Sequence, residues 1–196
     1  MRKTILTLVV VITTAVAILI ACSDNKKESA TKSEPSSNDS LIKRGAYLVT
    51  ISGCDDCHSP KKMGPRGPEL DAELRLSGYP SSRPLPTYDS NAIKKGMILF
   101  NQDLTSSAGP WGVSFAANLT SDATGAGSWP LENFIIALRK GKFKGHESGR
   151  DLLPPMPWQN FGQMTDDDLK AVHAFLKSTK PVENVVPAPR QLSEMK

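Results

Sequence analysis

The sequence predicts an all-α fold, a small helical domain carrying a long loop-rich insertion. Three observations lead there. Three segments repeat apolar residues at helical spacing, each bracketed by residues that start or stop helices. The stretch between the first and second, His58 to Trp129, is rich in Gly, Pro, Ser and Asn and shows no strand-like alternation. No internal repeat divides the chain, and residues 40–189 amount to one domain.

The elements follow in order. Arg2 and Lys3 precede a nearly unbroken apolar run from Ile5 to Ile20, which is the layout of a secretory leader. The run is about as long as a short membrane span, but Leu19, Ile20, Ala21 and Cys22 resemble the cleavage box of bacterial lipoproteins. That resemblance implies a signal peptide over 1–21 and a lipid on Cys22. Residues 22–39 are then a lipidated flexible tether. From Ser23 to Asp39 there is no aromatic and no aliphatic larger than alanine, too little apolar surface to offset chain entropy. Its span is on the order of 20–25 Å.

The first helix is expected over about Leu41–Ser52, capped by Ser40 or Asp39, with Leu41, Ile42, Ala46 and Val49 on one face. Gly45 and Ala46 leave a patch small enough for close approach. The insertion, roughly Ser59–Ala108, follows; "LSGYPSSRPLP" within it has no pattern that assigns a role. "IKKGMILF", Ile93–Phe100, suits a short extended piece or one helical turn. The second helix is expected over Pro130–Lys140, with Pro130 at the first helical position and Gly141 as the C-terminal cap. The third is expected over Asp166–Ser178. Thr165 is its N-cap, three aspartates fill its first turn, and Pro181 stops it. Residues 190–196 form a C-terminal tail.

Charge excludes one class of function. Of 24 Lys and Arg, two go with the leader, leaving 22 against 20 Asp and Glu. A nearly neutral domain has no footprint for nucleic acid. The run Arg139–Arg150 suits either a solvated loop or a patch steering an acidic partner.

The chemistry is in "SGCDDCHSP", Ser52–Pro60. Cys54, Cys57 and His58 form C-x-x-C-H, the signature of covalent c-type haem attachment. Two cysteines about one helical turn apart place their sulfurs against two vinyl groups on one porphyrin edge, and His58 then reaches the iron. A thioredoxin-like pair wants a strand-to-helix junction, and structural zinc wants a second ligand pair; the sequence offers neither. For the opposite axial position the candidates are Met63, Met97, Met156, Met164, His146 and His173. Met156 is preferred, because Pro154, Pro155 and Pro157 stiffen its loop. Met164 has another explanation, a hydrophobic staple to Leu169 around the Thr165 cap. His173 falls among apolar residues of the last helix and suits an edge-of-core role.

These residues resemble a class I cytochrome c, a helical domain wrapped around one covalent haem. In that family the first and last helices cross at a glycine facing an aromatic residue, places that Gly45 and Phe175 fit. Gly109–Lys142 resembles the haem domains in cytochrome subunits of periplasmic alcohol and aldehyde dehydrogenases. Asn118, Leu119, Thr120, Asp122, Gly125, Gly127 and Trp129 match elements that lie by the haem there. Three departures stand out: a single C-x-x-C-H, nearly a hundred residues between His58 and Met156, and the long insertion.

The resemblance implies an electron carrier rather than an enzyme, with one haem c held by Cys54 and Cys57 and its iron by His58 and Met156. It implies redox donor and acceptor proteins, a dehydrogenase among them, and no small-molecule substrate. The localisation implied is exported, anchored by lipid at Cys22, facing the periplasm or the cell surface. The alternatives are an electron-accepting subunit of a dehydrogenase complex and a haem enzyme or ligand sensor with a labile methionine.

Overall fold

A computed structural model describes residues 38–194. The leader, Cys22 and the tether up to residue 37 lie outside the described residues. Among the described residues six α-helices are present: α1 (Asn38–Ile51), α2 (Cys54–His58), α3 (Ser90–Lys94), α4 (Leu131–Lys140), α5 (Trp158–Phe161) and α6 (Asp166–Ser178). Five short strands accompany them: β1 (Lys61–Gly64), β2 (Gly67–Leu70), β3 (Leu99–Phe100), β4 (Ser106–Gly109) and β5 (Gly112–Phe115).

The all-α expectation is therefore corrected. β1 and β2 form one antiparallel sheet and β3-β4-β5 another. Both lie in the stretch that shows no alternation, and the reason is composition. β4 is Ser-Ser-Ala-Gly and wholly buried, so its residues fill a tight space without an apolar signal. Two hairpins share one turn grammar, Gly64-Pro65-Arg66-Gly67 and Gly109-Pro110-Trp111-Gly112, with Gly64 paired to Gly67 and Gly109 to Gly112. Proline at the second turn position and glycine at the fourth suit a tight turn. Gly67 and Gly112 take φ of 116° and 98°, which side chains rarely adopt.

The helices follow their sequence signals more closely. α6 begins where Thr165 accepts a hydrogen bond from the Asp168 N–H at 3.1 Å. α4 ends at Gly141 in the left-handed conformation, while Pro130 sits at its cap rather than inside it. α1 starts at Asn38, so Asp39 lies in its first turn and is not its cap. "IKKGMILF" divides, its first residues ending α3 and its last forming β3.

α1 and α6 cross at Gly45. A Cβ there would overlap the Ala171 carbonyl and lie 2.7 Å from Phe175 Cβ, so only glycine permits the approach. The crossing closes the main core, with Leu48 and Val49 from α1, Phe134 and Leu138 from α4, and Leu169, Val172 and Leu176 from α6. A smaller core of Ile93, Ala108 and Val113 lies under the three-stranded sheet. Arg139–Arg150 is mostly neutralised in place. Arg139 pairs with Asp166, Lys140 with Glu147 and Lys142 with Asp151, while Arg150 stacks 3.7 Å from the Phe143 ring centroid. Among the described residues no helix is long and apolar enough to cross a membrane.

Candidate functional site

α2 carries Cys54, Cys57 and His58 on one short helix immediately after α1. His58 is buried, and its Nδ1 lies 2.8 Å from the Ala117 carbonyl oxygen. A carbonyl only accepts, so the proton is on Nδ1 and the Nε2 lone pair is left for a ligand bond. Burial holds the imidazole below its ordinary pKa, against the opposing pull of the Ala117 bond and the Asp55 charge. The ring is neutral, the form in which histidine binds metal.

Cys54 and Cys57 are unbridged. Burial, then the neighbouring Asp55 charge, pushes the Cys54 thiol up to about 11, and burial also raises Cys57. Both remain S–H at neutral pH. A dithiol redox centre depends on a depressed thiolate pKa, so this environment opposes that alternative.

The helix is clamped by residues that sequence reasoning missed. Asp55 accepts hydrogen bonds from Ser59 Oγ at 2.7 Å and from Arg75 Nε and Nη2 at 3.0 and 2.8 Å. Burial raises the Asp55 pKa, but the bonds from Arg75 and Ser59 outweigh it and hold the carboxyl below its usual range. Arg75 also lies over the Phe175 ring of α6, 5.6 Å from its centroid. No local pattern links Asp55 to an arginine twenty positions on.

Met156 is partly buried against the main core, as is Cys54, and its loop is tied at several points. Leu152 N–H donates to the Gly141 carbonyl at 2.6 Å. Ser114 Oγ donates to the Pro154 carbonyl at 2.7 Å, fixing the prolines to β5. The Met156 carbonyl accepts from Trp158 N–H at 2.9 Å. The other candidates separate by environment. Met63 and Met97 are 67% and 52% exposed, and His146 is exposed. His173 Nε2 lies 3.0 Å from the Trp129 carbonyl and so donates to it. Met164 packs on the same core as Leu169, in keeping with a staple.

Asn118, Thr120 and Asp122 form a hydrogen-bonded knot. Asn118 Oδ1 accepts from the Thr120 N–H and hydroxyl at 3.0 and 2.8 Å, and Asn118 Nδ2 donates to the Val182 carbonyl at 2.8 Å. Asp122 accepts from Thr124 through its N–H and hydroxyl at 2.8 and 2.7 Å. The knot fixes the 118–129 loop to the extended segment after α6.

Among the described residues one buried side-chain polar atom has no protein partner. Trp129 Nε1–H is buried without a hydrogen bond, which is costly unless a bound group accepts it. The residues present fit a haem. Two unbridged thiols, a neutral imidazole and a partly buried thioether are donor types that such a group would need, and the Trp129 N–H is left for an acceptor.

No protein-family model matches the chain. Over 147 residues, 74% of the chain, it is 31% identical to the cytochrome c subunit of alcohol dehydrogenase (quinone) from Gluconobacter oxydans (strain 621H), covering 23% of that protein. It is 29% identical over 155 residues to the gluconate 2-dehydrogenase cytochrome c subunit of Pantoea cypripedii, which is 78% of this chain and 26% of that one. The fructose dehydrogenase cytochrome subunit of Gluconobacter japonicus matches at 26% over 181 residues, 91% of this chain and 29% of that subunit. The chain is thus a cytochrome c related to dehydrogenase cytochrome subunits, and it spans about a quarter of their length.

Proposed function

We propose that this chain is a one-electron carrier holding a single covalent haem c, and that it serves a dehydrogenase as electron acceptor. The observation that carries the reading is His58: buried, neutral, its Nδ1 proton given to Ala117, and next in sequence to Cys57. Cys54 and Cys57 would hold the group covalently, each thiol supplying the sulfur of one thioether bond. His58 Nε2 and the Met156 thioether would be the protein's ligands to its iron. When bound, the haem supplies a metal that changes by one electron, and methionine favours its ferrous form relative to a second histidine. The main core, against which Cys54 and Met156 pack, would keep water from it and limit reorganisation when its charge changes. Relatives named as cytochrome subunits of alcohol, gluconate and fructose dehydrogenases support a dehydrogenase donor.

Lipid on Cys22 would hold the exported domain at a membrane face. Cys22→Ala is expected to move the protein from the membrane to the soluble fraction; unchanged fractionation would remove the anchor from the reading.

The decisive experiment is a visible spectrum of the oxidised and reduced protein, with and without carbon monoxide. A c-type spectrum that carbon monoxide leaves unaltered is expected. Prompt uptake by the ferrous form would mean an open iron, and a ligand sensor or haem enzyme instead. Haem should remain on the chain in denaturing gels and be lost in the Cys54→Ser, Cys57→Ser double variant.

A further inference from the structure

The segment Leu76–Tyr79 lies between two stretches of chain that meet at His58. On one side, Gly78 N–H donates to the His58 carbonyl at 2.8 Å and Leu76 N–H to Ser59 Oγ at 2.8 Å. On the other, Tyr79 N–H donates to the Ala116 carbonyl at 3.0 Å, and the Leu76 carbonyl accepts from Leu119 N–H at 2.8 Å. Between Ala116 and Leu119 stands Ala117, whose carbonyl receives the His58 Nδ1 proton. The segment therefore spaces the histidine from its own acceptor.

It is built to hold one shape. All four residues are buried. Leu76 and Gly78 take φ of 62° and 76°, the first rare for a leucine. A Cβ on Gly78 would lie 2.6 Å from the Ala117 carbonyl carbon and oxygen, so the backbone fits with no room to spare. Its two ends are pinned. Arg75 grips Asp55 before it, and Asn184 Nδ2 donates to the Ser77 and Tyr79 carbonyls at 2.7 and 2.9 Å.

We propose that Leu76–Tyr79 is a positioning element that keeps Ala117 on the His58 proton and thereby sets the ferric–ferrous balance of the haem. The inference rests on the haem reading above. A hydrogen bond accepted from Nδ1–H makes the imidazole a stronger donor through Nε2 and favours the more positive metal. Loosening the segment weakens that donation and favours the ferrous form.

The test uses the haem-loaded protein and compares Ser59→Ala and Gly78→Ala with Thr165→Ala, which weakens the cap of α6. Two readouts are taken: the midpoint potential, and exchange of the His58 Nδ1 proton by NMR. The first two variants should exchange that proton at least tenfold faster. Their ferrous-to-ferric ratio at fixed poise should rise up to tenfold, which for one electron is about 59 mV. Thr165→Ala should leave both unchanged. If Gly78→Ala does not accumulate, Ser59→Ala decides alone. Values for Ser59→Ala equal to wild type overturn the inference. A colourless wild-type protein would instead sink the haem reading, and proton exchange by itself would then decide this one.

Discussion

Met156 and Met164 touch the same core, yet their backbones give them different work. Met156 is carried on a proline-stiffened loop tied to β5 and Gly141, whereas Met164 precedes a capped helix and packs with Leu169. Met156→Ala should abolish the weak sulfur-to-iron charge-transfer band of the oxidised protein and lower its potential. Met164→Ala should keep both and cost about 2 kcal/mol of stability in denaturant unfolding. Asp103 offers a separate test by pH. Burial raises its pKa, but bonds from the Thr105 hydroxyl and from Arg83, the latter at 2.7 Å, win and hold it below the usual range. Its stabilisation is thus present above about pH 4 and is lost as pH falls through the lowered folded value. Asp103→Asn should flatten the acid limb of a melting-temperature profile; an unaltered limb would show that other groups govern it. At this scale the C-x-x-C-H pattern, whose implied attachment belongs to the proposal, was legible because its spacing is local. Ala117 was not, since a backbone carbonyl can come from any residue.

The helices were legible for a different reason. Thr165 and the three aspartates after it, or Gly141 after a periodic run, state a boundary within four residues. Thr165→Ala should cost about 1 kcal/mol, read by thermal melting. Gly45→Ala should cost more, about 1–3 kcal/mol or complete loss of the crossing, because the new methyl meets the Ala171 carbonyl, which cannot swing aside. A Gly45→Ala protein as stable as wild type would show that the crossing tolerates wider separation. The strands escaped notice because they are short and carry no apolar alternation along the sequence. β4 and β5 meet through paired serines, Ser107 and Ser114 Oγ lying 2.9 Å apart. Only the repeated G-P-x-G signals the hairpins, and it does so through turn geometry rather than hydropathy.

Across the whole molecule, the insertion proves to be structural. Its Leu76–Tyr79 stretch is bonded to α2, to the 116–119 segment and to Asn184, partners dispersed too widely for any sequence window to connect. Asn184→Ala should leave the Ser77 and Tyr79 carbonyls and the Ser81 N–H short of a partner, costing about 3 kcal/mol in chemical denaturation. Asn184 also has a bearing on timing. It reaches back 103 to 107 positions to its partners, and it stands near the end of the described chain. On any route that delivers the polypeptide amino end first, this latch fastens only after all of its partners have emerged. The thiols of α2 therefore emerge before the Ser77 and Tyr79 carbonyls have gained this partner.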